Sequence, residues 1–310
     1  MVKRSMIPLY TPIFIIKNFY RELRPGRLRS TMTVAIIVTH ESDKKRFPIV
    51  LRNASLQTDR VIIVDNASSN SGELKTYCSS VKNCDFIEVG FNSGIGHALN
   101  IGVIHALRYN PDWILLLDDD TILLDGSIEK ALRSLDSLPR SMREKVMVVS
   151  LGSQIGDCSL KRALSGTFSG SLVRAEVFKE IKFRENFFLD QADFDFYSRV
   201  WEHGYIALLV DCKLIDHPIG KREWIPVLSK LRGEMLQYEP PWRYYYIVRN
   251  STILLIERRL YIGFYLSQLV RWGLRILFKD GFFAFIKPLA LGLFHGLLRM
   301  EGYMDKRVFS

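Results

Sequence analysis

Short apolar runs recur along the first two thirds of the chain, separated by segments with helical spacing. The strand-like runs are 34–38, 61–64, 86–89, 113–117 and 206–210, and the clearest helix-like segments are 47–56 and 94–109. Strands that are apolar on both faces are typical of buried parallel sheets, in which a helix connects each strand to the next. The pattern therefore predicts an α/β fold: a mixed, mainly parallel, Rossmann-like sheet with helices on both faces.

Polar residues follow three of these strands directly. They are His40-Glu41 after the first strand, Asp65-Asn66 after the second and Asp118-Asp119-Asp120 after the fourth. Ligands of open α/β sheets bind at the carboxyl ends of the strands. We therefore expect these side chains to converge on one crevice.

The three consecutive aspartates carry the strongest chemical signal. Side chains alternate along a strand, so Asp118 and Asp120 are expected to face one way and Asp119 the other. Two carboxylates on one side can hold a hard divalent cation that bridges phosphate oxygens. The alternative is a helix N-cap or a turn, but a cap needs only one aspartate and three adjacent charges repel one another. The pattern favours a metal or phosphate site.

Asp65 and the glycine-rich segment after the third strand each allow more than one interpretation. Asp65 could accept a hydrogen bond from the imide N–H of uracil or thymine, or cap the next turn. Gly94-Ile-Gly96 opens a helix but lacks the third glycine of a dinucleotide fingerprint, which disfavours a nicotinamide enzyme. Its glycines, with Gly102, allow close approach of a ligand or of a neighbouring element.

A second acidic group lies near the start of a probable helix that reaches Trp201. Asp190, Asp193, Asp195 and Arg199 fall within ten residues. An aspartate at a helix N-terminus is favoured by the helix dipole, which explains one of them and not three. Asp193 is the candidate for a base that deprotonates an alcohol.

His217 follows the strand-like run 206–210 and its extension, just before Pro218. A single histidine is usually structural. Beside the aspartates, it is also a candidate third metal ligand.

Composition points to polyanionic partners. The chain has 310 residues, 48% of them hydrophobic, a formal net charge of +10 and a pI near 9.4. Such a charge suits nucleotide phosphates, nucleic acid or an anionic membrane surface. Residues 1–32 form a basic, aromatic N-terminal extension in which Pro8 and Pro12 interrupt the apolar patch and no small-residue cleavage site follows, so we do not expect a signal peptide.

The four cysteines show neither a CxxC pair nor zinc-like spacing to histidine. They are Cys78, Cys84, Cys158 and Cys212. We expect reduced, structurally buried thiols.

Residues 221–310 are predicted to be helical and membrane-associating. Neither 260–278 nor 282–298 supplies the ~20 clean apolar residues of a spanning helix. The first segment carries a polar stripe at three- and four-residue spacing: Ser267, Gln268, Arg271, Arg275 and Lys279. A basic amphipathic helix of this kind commonly lies in a membrane interface. The alternative is a helix packed on the core with its basic stripe in water.

Together these motifs resemble the inverting nucleotide-sugar glycosyltransferases of family 2, which have the GT-A fold. The matching segments are 34–40, 61–66, 91–102, the aspartates as the DXD motif, 170–173, 192–199 and the tyrosine-rich 244–250. The resemblance covers roughly residues 33 to 251 and implies a GT-A domain at 33–220. Each motif alone is weak evidence for the family, but the motifs taken together in this order are specific.

The resemblance implies a role for each matching residue. Asp65 is expected to contact the nucleobase, and Asp118 is expected to lie near the ribose. Asp120 and His217 are expected to bind Mg²⁺ or Mn²⁺ with Asp118 as a further metal ligand. Asp193 is expected to be the general base. Asn92, Gly94, Asn100 and Asp119 complete the expected nucleotide-sugar contacts, and Asp190, Asp195, Arg199 and Arg249 are candidates for the acceptor or the diphosphate. Ala192 replaces the acidic residue that often precedes the base, which leaves Asp190 or Asp195 as substitutes.

The expected function is transfer of rhamnose or galactofuranose from a UDP- or dTDP-sugar to a glycan or polyprenyl-diphosphate-linked acceptor, in bacterial surface polysaccharide (O-antigen) synthesis. The expected location is peripheral, on the cytoplasmic face of the inner membrane. One alternative is a processive polysaccharide synthase, because Gln268 to Trp272 matches QxxRW. Another is a non-catalytic basic membrane or nucleic-acid binding protein; no nucleic-acid motif is present, and we expect no nucleic-acid partner.

Overall fold

The computed structural model describes residues 31–218 and 220–309. The predicted N-terminal extension therefore lies almost wholly outside the described residues. The strands are β1 (Thr33–Thr39), β2 (Arg60–Asp65), β3 (Cys84–Glu88), β4 (Trp113–Asp118), β5 (Ile122–Leu123), β6 (Val146–Leu151), β7 (Ser159–Arg162), β8 (Ser171–Arg174), β9 (Ile206–Asp211), β10 (Ile215–Asp216), β11 (Lys221–Glu223) and β12 (Leu236–Tyr238). The helices are α1 (Phe47–Gln57), α2 (Ser71–Ser79), α3 (Ile95–Ala106), α4 (Ser127–Ser134), α5 (Arg140–Arg143), α6 (Ala192–Glu202), α7 (Leu228–Arg232), α8 (Pro241–Ile256), α9 (Ile262–Asp280) and α10 (Phe282–Leu297).

Eight strands form one mixed sheet in the order β3-β2-β1-β4-β8-β6-β9-β7. The first four are parallel, β8 runs antiparallel to β4 and β6, β9 is parallel to β6, and β7 is antiparallel to β9. The predicted mixed, mainly parallel sheet is confirmed. The short β11–β12 hairpin is a difference, because no strand was expected after residue 220.

Alternate residues of each central strand enter different cores. Ile36 and Ile114 face the cluster that includes α3 and α6, while Ile37 and Leu115 face the cluster that includes α1, α2 and α4. At Gly102, a Cβ atom would lie 2.5 Å from Ile36 Cγ2, so the absence of a side chain lets α3 lie close on the sheet. The helices thus cover both faces, as the apolar strands indicate.

The cysteine prediction was wrong in this structure, which pairs Cys78 with Cys84 and Cys158 with Cys212. Cys78 and Cys84 flank the short turn from α2 to β3. Cys158 and Cys212 lie at adjoining ends of two antiparallel neighbours, β7 and β9. The Cys158–Cys212 pair forms because β7 and β9 are neighbours in this register, and the spacing of cysteines along the chain does not predict strand register.

The C-terminal helices pack around α8, most of whose residues are buried. Gly292 and Gly296 bring α10 against α8: added Cβ atoms would lie 2.8 Å from Val248 Cβ and 2.7 Å from Thr252 Cβ. Among the described residues, no helix is both long enough and apolar enough to cross a membrane.

Candidate active site

The aspartate triplet lies where β4 ends and turns towards β5. Asp118 is the last residue of β4, and Asp119 and Asp120 occupy the turn. Asp118, Asp120 and His217 each offer one ligand atom, and these atoms all lie within 4.8 Å of one another. Two carboxylates and an imidazole are suitable ligands for Mn²⁺ or Mg²⁺. The three residues therefore form a group that could hold a divalent cation.

Asp119 points to a different set of partners. Ser42 Oγ donates to its Oδ2 at 2.5 Å, and the backbone N–H of His40 donates at 3.3 Å. Burial raises the pKa of Asp119, and these hydrogen bonds oppose the rise. The expected separation of Asp119 from its two neighbours is what the structure shows. A polar cleft of about 420 Å³ adjoins this side, lined in part by Ser42, Asn70 and Glu73.

A short antiparallel bridge brings His217 to the aspartates. Ile215 and Asp216 of β10 pair with Leu123 and Ile122 of β5, which follows Asp120 in the chain. His217 Nδ1 then lies 2.6 Å from Thr121 Oγ1 and 3.6 Å from Asp120 Oδ1. His217 thus follows the separate strand β10, and not an extension of β9.

The charges in this cluster are strongly coupled. Burial is the largest cause that raises the pKa of Asp118, to about 6; His217 opposes the rise and the charge of Asp120 adds to it. Burial lowers the pKa of His217, but its close contact with the Asp120 carboxylate and the charge of Asp118 outweigh this and raise it. A bound cation would replace the proton in balancing these carboxylates.

Asp193 lies in the first turn of α6, near enough to Asp118 for their charges to interact. Burial, followed by the charges of Asp190 and Asp118 and opposed by backbone hydrogen bonds, raises the pKa of Asp193 to about 7. A carboxylate with a pKa near 7 is suited to accept a proton from an alcohol. This geometry can serve general-base chemistry beside a metal.

Two arginines near the site were missed in the sequence analysis. Arg243 of α8 contacts both carboxylate oxygens of Asp190, at 3.0 to 3.2 Å, and its charge also acts on Asp118. Arg46 donates to the backbone and side chain of Asp216, at 2.8 and 2.9 Å, and to the carbonyl of Asp120. No local pattern marked these contacts, because Asp190, Asp120 and Asp216 lie more than fifty positions from their arginines.

The loop before α6 has a strained backbone. Phe188, Asp190 and Gln191 have φ of 60°, 55° and 63°, a region that costs non-glycine residues of order 1–3 kcal/mol each. Residues of α8 hold this loop. The buried amide of Asn250 donates to the carbonyls of Phe187, Leu189 and Asp190 at 3.0, 2.7 and 2.9 Å. Helix α8 therefore fixes the segment that leads to Asp193.

Arg249, a candidate for contact with acceptor or diphosphate, lies inside the protein. Its guanidinium is buried and donates to the carbonyls of Phe187 and Gly302, at 3.0 and 2.7 Å, while packing over the ring of Tyr246. Backbone carbonyls already use the donors that a diphosphate would need. Arg249 holds the loop before α6 and the C-terminal segment together.

Asp195 and Arg199 also have structural partners. Asp195 is fully buried and accepts from Arg199 and Arg259, with Arg184 at 3.6 Å. A carboxylate enclosed by three guanidinium groups is not available to an acceptor hydroxyl. The structure places Asp190, rather than Asp195, near Asp193, and a contact of Arg199 with acceptor or diphosphate stays a prediction.

The glycine-rich segment serves mainly to build the site. The buried side-chain amide of Asn100 hydrogen-bonds both the N–H and the C=O of Phe183 and also Glu185, and its contact with a nucleotide-sugar stays a prediction. A Cβ on Gly94 would lie 2.6 Å from the carbonyl oxygen of Phe188, so the close approach there is to the protein backbone. Asn92 bonds Asn66 at 3.2 Å and stays exposed at the crevice.

Asp65 is buried at the end of β2. It accepts from Thr39 Oγ1 at 2.9 Å and from Ser68 Oγ at 2.5 Å. This is the turn-capping arrangement, the second of the two interpretations of the sequence. Contact of Asp65 with a nucleobase stays a prediction.

Comparisons with known proteins agree with this geometry. Residues 34–142 match the sequence model of glycosyl transferase family 2. The dTDP-rhamnosyl transferase RfbF of Shigella flexneri is 25% identical over 247 residues, covering 71% of this chain and 79% of that protein.

Two solved structures share the fold. S. aureus TarS 1-349 in complex with UDP-GlcNAc superimposes with a TM-score of 0.51 at 16% identity, covering 81% of this chain and 74% of that one. GalNAc-T7 with UDP, GalNAc and Mn²⁺ superimposes with a TM-score of 0.50 at 10% identity; 60% of this chain matches 44% of that larger protein.

The fold and the matched segment define the class of protein: the chain is a nucleotide-sugar glycosyltransferase with the GT-A fold. Its resemblance to glycosyl transferase family 2 rests on residues 34–142. The predicted resemblance is confirmed.

Proposed function

We propose that the protein is an inverting, metal-dependent glycosyltransferase that moves rhamnose from a dTDP donor to a lipid-linked glycan in bacterial surface polysaccharide synthesis. The observation that carries the proposal is the position of Asp193 beside the Asp118–Asp120–His217 group. The similarity to a dTDP-rhamnosyl transferase favours this donor over a UDP-sugar or a galactofuranose donor. Donor, acceptor and linkage are all part of the proposal.

In the proposed reaction the acceptor oxygen attacks the anomeric carbon as its bond to the diphosphate breaks. Asp193 takes the proton of the acceptor hydroxyl, and the nucleoside diphosphate leaves with the bonding electrons. Attack from the face opposite the leaving group inverts the configuration. Asp118, Asp120 and His217 would hold Mg²⁺ or Mn²⁺, which when bound supplies positive charge to the departing diphosphate. Arg243 keeps Asp190 paired, which limits the negative charge beside the base.

Substitution of the two principal carboxylates tests the proposal. Asp120→Ala and Asp193→Asn should each lower transfer from dTDP-rhamnose at least a hundredfold, while circular dichroism shows an unchanged fold. Transfer at the wild-type rate by both variants would contradict the proposal. Product length separates it from the processive alternative: a single added sugar is expected, and a long polymer would favour a synthase.

We further propose that the C-terminal helices attach the protein peripherally to the cytoplasmic face of the inner membrane. Along α9 five apolar residues four positions apart are exposed to solvent: Ile262, Leu266, Val270, Leu274 and Phe278. Phe283 and Phe294 of α10 are exposed as well. From 262 to 297 the charged residues are Arg271, Arg275, Lys279, Asp280 and Lys287, an excess of cations. An apolar surface with basic neighbours suits an anionic bilayer.

A further inference from the structure

Three arginines near α9 have no carboxylate partner among the described residues. Arg271 and Arg275 lie one turn apart, and both guanidinium groups lie over the ring of Trp272, at 5.4 and 4.8 Å. Arg232, the last residue of α7, lies close enough for its charge to act on Arg275. Uncompensated like charges in one place are costly, so this group needs an explanation.

Arg275 is the unusual member of the group. It is only 9% exposed, and its Nη1 atom is buried with no hydrogen-bond partner in the described part of the chain. Burial, followed by the charges of Arg271 and Arg232, lowers the pKa of Arg275.

Two other partly buried arginines, in contrast, have carboxylate partners. Arg184 is paired with Glu257 and Glu301, and Arg243 with Asp190. In both, ion pairs outweigh burial and raise the pKa. A buried guanidinium that is repelled by its neighbours and has no ion-pair partner in the described chain is suited to bind an anion.

The position of these arginines relates them to Asp193. Gln268, one turn before Arg271 on α9, accepts a hydrogen bond at 2.9 Å from Gln191, two residues before Asp193. The rise of a helix places Arg275 about 10 Å further along the axis than Gln268. Within the described part of the chain, Oε1 of Gln191 and Nε2 of Gln268 are also buried without a hydrogen-bond partner.

Exposed apolar side chains flank the arginines. Leu231 adjoins Arg232 and is 78% exposed, and Val270 and Leu274 adjoin Arg271 on α9 and are 57% and 40% exposed. A ligand that combines a phosphate anion with a hydrocarbon chain fits this combination. The planar fork of arginine matches phosphate oxygens, and two or three such groups suit a diphosphate.

We propose that Arg232, Arg271 and Arg275 bind the diphosphate of a lipid-linked acceptor, whose sugar then reaches Asp193. This inference rests on the proposed function, because it assigns the acceptor site of that reaction. The proposal also gives the QxxRW-like segment, Gln268 to Trp272, a role in acceptor binding that requires no processive reaction.

Binding to vesicles tests the site. Wild type, Arg275→Gln and Lys287→Gln are floated with phosphatidylcholine vesicles that contain a few per cent of a polyprenyl diphosphate, in EDTA so that the donor site holds no metal. Lys287 is an exposed cation of α10, so its variant controls for loss of one charge. Arg275→Gln should weaken binding of the lipid diphosphate at least tenfold, and Lys287→Gln less than twofold. Inorganic pyrophosphate should compete with the lipid for wild type.

The other arms identify the source of the anion. Two results would overturn the proposal in favour of general attraction to charged membranes. One is an equal loss of vesicle binding in Arg275→Gln and Lys287→Gln. The other is that Arg275→Gln loses as much binding to vesicles whose only anion is phosphatidylglycerol as to those with the lipid diphosphate. Arg275→Gln should keep or raise the melting temperature, because it removes a repelled, buried cation. A lower melting temperature with unchanged binding would show a structural role and overturn it.

Metal-dependent hydrolysis of dTDP-rhamnose, measured on the same preparations, separates the two proposals. Absence of hydrolysis in the wild type would count against the proposed function, and the vesicle results would still decide the diphosphate site.

Discussion

At the scale of single residues, the environment of Asp193 decides its chemistry. The side chain is placed among Asp190, Asp118 and the buried start of α6, and its pKa rises to about 7. Ala192 removes the acidic neighbour usual in this position, and Asp190 supplies a negative charge instead. The carboxylate is therefore a stronger base than an exposed aspartate.

The raised pKa predicts an acidic limb in the pH profile. Below about pH 7 Asp193 holds a proton and cannot accept another, so kcat/KM should fall with decreasing pH. A cation at Asp118 and Asp120 adds positive charge nearby and should move this limb to lower pH. Transfer rates measured from pH 5 to 9 at several Mn²⁺ concentrations check both effects. A flat profile across pH 5 to 9 at low Mn²⁺ would contradict the assignment.

Ionisation of Asp193, which the reaction requires, should lower the stability of the folded protein. The folded state binds the proton more tightly than the unfolded chain, so ionisation of Asp193 destabilises the fold between its ordinary pKa of 3.8 and about 7. Asp193→Asn removes this charge. In EDTA its melting temperature should exceed that of wild type at pH 8 and approach it at pH 4. An unchanged difference at both pH values would argue against a buried, ionising group.

At the scale of elements, α8 connects the C-terminal helices to the catalytic loop. Arg243 pairs with the Asp190 carboxylate, and Asn250 and Arg249 hold carbonyls of the strained loop before α6. The tyrosine-rich segment thus supports the loop that leads to Asp193. The C-terminal region is an integral support of the site in this structure.

Truncation of Asn250 tests this support. Asn250→Ala removes the donors shared by three carbonyls, so the loop can relax from its left-handed conformations. We expect kcat to fall at least tenfold while the donor KM changes less than twofold, since the metal-binding group is untouched. Steady-state kinetics with dTDP-rhamnose measure both constants.

Ser251→Ala is the matched control for Asn250→Ala. Ser251 is equally buried on α8, but its hydroxyl bonds only carbonyls of its own helix, at 2.5 and 3.2 Å. It should lower the melting temperature slightly and leave kcat near wild type. Equal loss of kcat in the two variants would reduce the role of Asn250 to general stability.

At the scale of the whole molecule, local patterns were sufficient for the four parallel strands β1 to β4 and for the aspartates. The apolar runs that became β1, β2 and β4 and the alternation of Asp118 and Asp119 depend only on neighbouring residues. The remaining features depend on distant pairings: the β5–β10 bridge that delivers His217, the β7–β9 register that joins Cys158 to Cys212, and the contact of Arg243 with Asp190. One sequence carries no local sign of such contacts.

The polar stripe on α9 shows the same limit. Ser267 and Arg271 are exposed as expected, but Gln268 and Arg275 are buried in the protein, and the exposed face is largely apolar. The spacing identified an amphipathic helix correctly and could not show which face packs inward.

The apolar face predicts binding to anionic membranes. Val270→Glu combined with Leu266→Glu should reduce flotation with phosphatidylcholine–phosphatidylglycerol vesicles at least fivefold. Leu56→Glu replaces a leucine on α1 that is still more exposed, and this variant should bind like wild type. If all three proteins float equally, this face is not the attachment surface.

A manganese titration of the transfer rate tests the central claim most directly, because it separates the metal group from the base. With dTDP-rhamnose and a lipid-linked acceptor, Asp120→Asn should need at least tenfold more Mn²⁺ for half-maximal transfer than wild type. Asp193→Asn should keep the wild-type midpoint and lose at least a hundredfold in maximal rate. A wild-type rate that does not depend on Mn²⁺ or Mg²⁺, or an Asp193→Asn variant that reaches the wild-type maximum, would contradict the account.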